Sequence, residues 1–100
     1  MVDLAFVTGV ISYDELSLLR GDDLVNQVGV LKEDMLQVLY SSSILLDVGW
    51  YPSFDASGGF QIRAIKDCDW ESPIFFTKAA TIALLLKELI AAQNKINRFF

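Results

Sequence analysis

Three acidic residues alternate along one short polar stretch, at Asp67, Asp69 and Glu71. Carboxylates at close spacing are the ligands that a hard cation such as Ca²⁺ uses. The stretch lacks the downstream glycine and the distant bidentate glutamate of an EF-hand loop. The pattern is compatible with a metal site but favours a solvated acidic loop, so we predict neither a metal nor a cofactor.

The other side chains that could do chemistry are few. The chain has no histidine, the side chain that most often serves as a general base near neutral pH. Cys68 lies between Asp67 and Asp69, and nearby negative charge raises the pKa of a thiol instead of activating it. Gly58-Gly59 is a glycine pair and not a phosphate-binding loop. The sequence therefore predicts that the protein is not an enzyme, and a small enzyme or ligand-binding domain is only the third class of function considered.

Composition limits the remaining possibilities. A chain of 100 residues with 53% hydrophobic content predicts one domain, residues 1–100. A net charge of -5 disfavours general nucleic-acid binding, which needs clustered Lys and Arg. The single cysteine excludes an intramolecular disulfide and fits the cytoplasm. No signal peptide is expected, and the most apolar segment, residues 79–92, is too short and too charged to span a membrane.

The first 43 residues contain signals for helices. Ser12 and Glu15 have the spacing of a capping box, which predicts a short helix that ends at Gly21. Asp22 or Asp23 can cap the next helix. The apolar residues of that second helix recur at spacings of three and four: Leu24, Val28, Leu31, Met35 and Val38. For residues 1–11 a strand, a short helix and a packed arm all remain open.

From residue 44 the apolar residues alternate, which is typical of strands with one buried face. Residues 46–51 and 60–65 should form an antiparallel pair around a turn at residues 52–59. Residues 73–76 add a third, short strand beside the second.

A final helix should begin at a Thr77 cap. Its apolar surface is broader than one sheet face requires, and the chain then ends on Phe99-Phe100. We expect this surface either to be buried by the N-terminal helices or to serve self-association.

These elements predict an α+β fold with helices on one sheet face. Residues 1–43 should be mainly helical, residues 44–76 should form a three-stranded antiparallel meander, and residues 77–100 should form a long C-terminal helix.

Aromatic residues mark candidate contacts. Trp50 falls in phase with Leu46 and Val48, which predicts that it packs in the core. Trp70 lies in a polar loop, where it either covers the core or contacts a partner, and Tyr51 has the same two alternatives.

The chain resembles small bacterial immunity proteins of polymorphic toxin and contact-dependent growth inhibition systems. The residues that carry the resemblance are Leu46-Asp47-Val48-Gly49-Trp50-Tyr51, Gly59-Phe60 and Lys66-Asp67-Cys68-Asp69-Trp70-Glu71-Ser72-Pro73. Immunity proteins of this kind bind the C-terminal toxin domain of an effector and block it, often by covering the active site of a nuclease. Such toxins are commonly basic, so the resemblance implies an acidic cytoplasmic inhibitor with no cofactor. Residues 1–43 have no counterpart in the pattern.

Our hypothesis is a tight stoichiometric complex with a basic toxin domain. The candidate partner-binding residues are the acids Asp47, Asp55, Asp67, Asp69 and Glu71 around the aromatic residues Tyr51 and Trp70. A second location for the interface is the N-terminal region, with Asp14, Glu15, Asp22, Asp23, Glu33 and Asp34. The alternative function is a structural or assembly protein that self-associates, as a homodimer or larger, through the helix at residues 82–100.

Overall fold

A five-stranded antiparallel sheet is the centre of the computed structural model, which describes residues 2–21, 23–41 and 43–98. The strands are β1 (Val10–Asp14), β2 (Leu36–Ser41), β3 (Ile44–Tyr51), β4 (Gly59–Lys66) and β5 (Phe75–Ala79). Each strand pairs with its neighbour along the chain, in the order β1-β2-β3-β4-β5. One α-helix, α1 (Ile82–Asn97), and two 3₁₀ helices, Leu16–Leu18 and Val25–Val30, complete the described elements. The fold is α+β, with five strands in the meander.

The longest pairing joins β3 and β4. Leu46 lies opposite Ala64, Val48 opposite Ile62 and Trp50 opposite Phe60. Side chains alternate between the two faces of a strand, so these pairs share one face, here called the inner face. All six side chains belong to the main hydrophobic core.

Helix α1 packs against the inner face. Its buried side consists of Ile82, Leu85, Leu89, Ala92, Gln93 and Ile96. The helix begins after Thr81, whose hydroxyl oxygen accepts a hydrogen bond from the Leu84 N–H at 3.1 Å. The predicted cap, Thr77, instead lies in β5 opposite Ile62, because pairing with β4 continues to Ala79.

Residues 2–9 form an arm that is bound to α1 through one buried glutamine. Gln93 Oε1 accepts hydrogen bonds from the Thr8 N–H at 2.8 Å and from the Tyr40 hydroxyl at 2.5 Å. Gln93 Nε2 donates to the Phe6 carbonyl at 3.1 Å. The amide thereby connects the arm, β2 and α1 on the inner side of the sheet.

The predicted first helix is wrong, because its capping residues bond elsewhere. Ser12 lies in β1 and its hydroxyl donates to the Gln37 carbonyl at 3.2 Å. Glu15 forms an ion pair with Lys32 at 2.5 Å. The Asp14 carboxylate accepts from the Ser17 N–H at 2.9 Å, and only a 3₁₀ helix of three residues follows.

The predicted second helix is also wrong. Only Val25–Val30 is helical, as a 3₁₀ helix, and Leu36–Ser41 is strand β2. Leu36 pairs with Val48 and Val38 pairs with Leu46, so Val38, the last residue of the predicted stripe, lies instead on the buried face of a strand. Pairing with the following strand, β3, overrides local helix preference here.

These corrections change the architecture of the first 43 residues. The three-stranded meander gains β1 and β2 at one edge, and the α-helical cover on the inner face comes from α1 alone among the described residues. The predicted cap at Asp22 and the terminal Phe99-Phe100 lie outside the residues that the structure describes.

The segment before β2 passes close to Gly49. A Cβ at this position would lie 2.0 Å from the Glu33 carbonyl oxygen, which is backbone and cannot move freely. We expect Gly49→Ala to lower the free energy of unfolding by about 2 kcal/mol, the usual range for overpacking. Urea denaturation measures this loss. Gly29→Ala is the control, because a Cβ there meets nothing within 4 Å. Equal stability of the two variants would contradict this close approach.

Candidate partner-binding surface

The sheet face opposite α1, here called the outer face, carries two cross-strand rows of side chains. The polar row runs across all five strands and contains Tyr13, Gln37, Asp47, Arg63 and Phe76. The apolar row runs across four strands and contains Val10, Leu39, Leu45 and Ile65. Neither row belongs to the core cluster on the inner face.

The apolar row is partly exposed. Val10 is 70% exposed and Leu39 is 43% exposed, whereas Ile65 is 1% exposed although it lies outside the main core cluster. Leu39 and Ile65 line a hollow of about 140 Å³ together with Cys68 and Trp70. Exposed apolar side chains that adjoin one another are typical of a contact surface.

Trp70 lies at the end of this row, in the turn that follows β4. The turn is held by the Asp67 N–H, which donates to the Ser43 carbonyl at 2.7 Å. Asp67 and Cys68 adopt left-handed backbone angles, with φ of 56° and 61°. Trp70 is 47% exposed and presents its ring at the surface. Asp67, Asp69 and Glu71 are exposed around it.

Arg63 occupies the middle of the polar row between two aromatic rings. Its guanidinium carbon lies 5.7 Å from the centre of the Tyr51 ring and 5.2 Å from the centre of the Phe76 ring. Its Nη2 donates to Gln61 Oε1, and its buried Nε has no hydrogen-bond partner. Stacking on both rings gives Arg63 cation–π contacts and directs the guanidinium along the face.

Asp47 is the cross-strand neighbour of Arg63, and it is 4% exposed. Its Oδ1 accepts one hydrogen bond, from Gln37 Nε2 at 3.3 Å. Burial raises the pKa of the Asp47 carboxyl, and the negative charge of Asp34 adds to this effect. The Gln37 hydrogen bond and the charge of Arg63 oppose it. Asp47 is therefore a buried carboxylate and not a rim charge.

Asp55 has a structural role in the turn between β3 and β4. Its Oδ1 accepts from the Ser57 N–H at 2.8 Å and from the Ser57 hydroxyl at 2.7 Å. These bonds lower the pKa of Asp55. Its carbonyl accepts from Trp50 Nε1 at 2.8 Å, and Trp50 packs edge to face on Phe60 in the core.

The seven predicted site residues do not form one cluster. The turn that contains Asp55 and the turn that contains Asp67 lie at opposite ends of β4, whose eight residues span about 23 Å. Asp67, Asp69, Trp70 and Glu71 lie together at one end, whereas Asp47 and Tyr51 lie along the outer face between the two turns.

Sequence reasoning missed several residues of this face. Leu39 follows Met35 by four residues and therefore fits the apolar stripe of the helix predicted there, so the helical spacing gave no signal that Leu39 lies on a strand. Phe75 and Phe76 are consecutive in a strand, so one ring must point outward, and Phe76 is 47% exposed. Arg63 was placed on a strand but not recognised as part of a site.

Other kinds of site are not found in the part of the chain that the structure describes. No three Cys, Asp or Glu side chains converge there as a metal site would require. Within residues 2–21, 23–41 and 43–98, no helix has the length and hydropathy to cross a membrane.

No family model, no curated protein and no solved structure matches this chain. The resemblance to immunity proteins therefore stays a prediction. The function has to be inferred from the outer face and from the residues that carry the resemblance.

The buried charge of Asp47 predicts a specific pH dependence. A carboxyl whose pKa is raised in the folded state destabilises the fold when it ionises. The wild-type protein therefore loses stability as the pH rises through the pKa of Asp47. Asp47→Asn keeps an acceptor for Gln37 and never ionises. We expect this variant to gain stability relative to the wild type between pH 3 and pH 7.

Urea midpoints at the two pH values measure this effect. Asp69→Asn is the control, since Asp69 is an exposed carboxylate that accepts no side-chain hydrogen bond from the described residues. A growing loss of stability for Asp47→Asn with rising pH would contradict the assignment.

Proposed function

We propose that this protein is an immunity protein that binds a cognate toxin domain through the outer face and neutralises it by stoichiometric complex formation. The observation that carries the proposal is the outer face itself, where exposed apolar side chains adjoin an acidic turn that presents Trp70. The resemblance at residues 46–51, 59–60 and 66–73 supports the same function. The protein would act in the cytoplasm as a binding protein and not as an enzyme.

The dimensions of the outer face suit a standard interface. Four strand spacings measure roughly 19 Å, and the eight residues of β3 or β4 span roughly 23 Å. The flat footprint is therefore about 440 Å², and side-chain relief adds to it. A stable interface buries about 800 Å² on each partner, so the face and its flanking turns can supply the area.

The charge of the surface favours a basic partner. Asp67, Asp69 and Glu71 are exposed beside the apolar row, Glu33 and Asp34 are exposed beside the polar row, and the whole chain carries a net charge of -5. Complementary charge speeds association and excludes partners of like charge. A nuclease suits this surface, because a nuclease must present cationic groups to phosphate.

Self-association is the second candidate function, and α1 offers some support for it. Leu84 and Ile90 are 46% and 47% exposed on this helix. They are six residues apart, however, so at about 100° per residue they point about 120° away from each other. They do not form one apolar stripe. Association through the outer face would pair two surfaces that both carry acidic groups, which like-charge repulsion disfavours.

The deciding experiment is co-expression of the chain with the reading frame immediately upstream, followed by mass spectrometry of the proteins that stay bound. We expect a basic protein in equimolar amount that is toxic when it is expressed alone. Recovery of this chain alone, with a mass that rises with concentration in sedimentation, would support self-association instead.

Reversing the charge of the acidic turn should weaken the complex. Asp67, Asp69 and Glu71 changed together to Lys should slow association by about tenfold or more at low salt, because rim charges steer the encounter. Surface plasmon resonance at two salt concentrations measures the rates. The matched control compares two single charge reversals, Asp69→Lys in the turn and Glu88→Lys on α1. Glu88→Lys should leave the association rate unchanged, because α1 lies on the opposite side of the sheet. Unchanged association rates would move the interface towards Asp14, Glu15, Glu33 and Asp34.

The two tryptophans should behave differently. Trp70→Ala should leave the fold intact and weaken partner binding by about 2 kcal/mol or more, as is usual for an aromatic anchor. Trp50→Ala should destabilise the fold by about 3 to 5 kcal/mol, because it empties a core position that is 2% exposed. Binding isotherms and urea denaturation of both variants separate these effects. Wild-type affinity of Trp70→Ala for the partner would show that Trp70 is not part of the interface.

A further inference from the structure

The hollow at the end of the apolar row is formed mainly by apolar side chains of three strands and one turn. Leu39 of β2, Leu45 of β3 and Ile65 of β4 line it from the sheet. Cys68 and Trp70 line it from the turn after β4. Its volume is about 140 Å³, and an apolar cavity of about 150 Å³ holds a molecule of the size of benzene. The hollow therefore has room for one aliphatic side chain.

The turn that forms one wall of the hollow is fixed by its own backbone. The Asp69 N–H donates to the Lys66 carbonyl at 3.1 Å. The Trp70 N–H donates to the Cys68 carbonyl, also at 3.1 Å. Trp70 still keeps 47% of its surface exposed, so an occupant of the hollow can cover it. A wall that is already in place reduces the conformational entropy that binding would cost.

Negative charge borders the hollow on the side of this turn. Asp67, Asp69 and Glu71 are exposed there, and Lys66 is the only cation of residues 66–71. On the other side of the hollow, residues 36–46 contain no charged side chain in the sequence. A purely apolar occupant would fill the hollow but would bring no opposite charge to the carboxylates. An aliphatic side chain beside a cationic one matches both features.

We propose that the partner inserts one aliphatic side chain, of the size of leucine, into the hollow against Trp70, and that an adjacent lysine or arginine contacts the carboxylates of the turn. This inference rests on the proposed function, because it names the chemistry with which the partner contacts the outer face. Burial of the aliphatic side chain slows dissociation, whereas the charges speed association. A second copy of this chain suits the hollow less well, because each copy carries a net charge of -5.

The test uses the isolated protein and the peptide acetyl-Lys-Leu-Lys-amide as the probe. The indole N–H signals of the two tryptophans are followed by NMR during a titration, and a Trp70→Phe variant assigns them. We expect a saturable shift of the Trp70 signal with a dissociation constant of about 1 to 10 mM. The Trp50 signal is the internal control, because its indole N–H donates to the Asp55 carbonyl in the turn at the other end of β4.

Two further peptides separate the aliphatic contact from the charge. Acetyl-Lys-Ser-Lys-amide lacks the aliphatic side chain, and acetyl-Glu-Leu-Glu-amide reverses the charge. Each should bind at least about tenfold more weakly at low salt than the lysine–leucine peptide does. Equal binding of the serine peptide would overturn the role of the hollow. Equal binding of the glutamate peptide would overturn the assignment to a basic partner.

A pair of matched variants locates the binding. Leu39→Ala should weaken binding of the lysine–leucine peptide by about fivefold, because it removes part of the apolar wall. Leu84→Ala is the control, since Leu84 is 46% exposed on α1 and Leu39 is 43% exposed on β2. The dispersion of the amide spectrum shows that both variants are folded. Equal affinity of the two variants would exclude the hollow as the binding site.

The only cysteine of the chain provides a reversible block. Cys68 is exposed and lines the hollow, so benzyl methanethiosulfonate should attach a benzylthio group there. Binding of the lysine–leucine peptide should be lost, and dithiothreitol should restore it by removing the group. The Cys68→Ser variant, which cannot react, should bind the peptide before and after the same treatment. Undiminished binding by the blocked protein would contradict the proposal.

The outcome is separable from that of the proposed function. Saturable binding of the lysine–leucine peptide without recovery of a toxin would support the hollow and leave the immunity function without support. Recovery of a toxin that binds Leu39→Ala and the blocked protein with full affinity would support the immunity function and overturn the role of the hollow. A mass that rises with concentration, and that Leu39→Ala abolishes, would overturn the assignment by placing a second copy in the hollow.

Discussion

Backbone pairing between β2 and β3 is the interaction on which the rest of the structure depends. It extends from the Met35 N–H, which donates to the Val48 carbonyl at 3.0 Å, to the pair of Ser41 with Ile44. Leu36 and Val38 thereby enter the core, and β1 can add at the new edge. The same pairing positions Tyr40 so that its hydroxyl reaches Gln93 on α1.

Packing on only one side of the sheet follows from this arrangement. Helix α1, the arm at residues 2–9 and the buried leucines of the segment between β1 and β2 all contribute to the single core cluster. The outer face keeps exposed apolar side chains such as Val10, Leu39 and Phe76. Val10 and Leu39 adjoin one another across β1 and β2, which is typical of a contact surface, and the neighbouring acids limit the class of protein that can cover it.

The polar row combines two features that do not favour stability in the free chain. Asp47 is buried with one long hydrogen bond, and the Arg63 Nε is buried with none. Local choices that conflict with the stability of the free fold are expected at functional sites.

Features that depend on local pattern could be predicted from the sequence. Alternation at residues 46–51 and 60–65 predicted a strand pair close to β3 and β4, a broad apolar stripe predicted a helix at the end of the chain, and the α+β class followed. Trp50 was expected in the core from its phase alone, and it packs there on Phe60.

Other features depend on contacts between segments, which local pattern does not specify. The spacing of Met35 and Val38 suits one face of a helix, whereas Leu36 and Val38 suit one face of a strand. Only the hydrogen bonds to β3 select the strand. The tertiary structure alone buries Asp47 and places it opposite Arg63, because which side chains meet depends on cross-strand register. Register is a property of two segments together, so neither segment's sequence contains it.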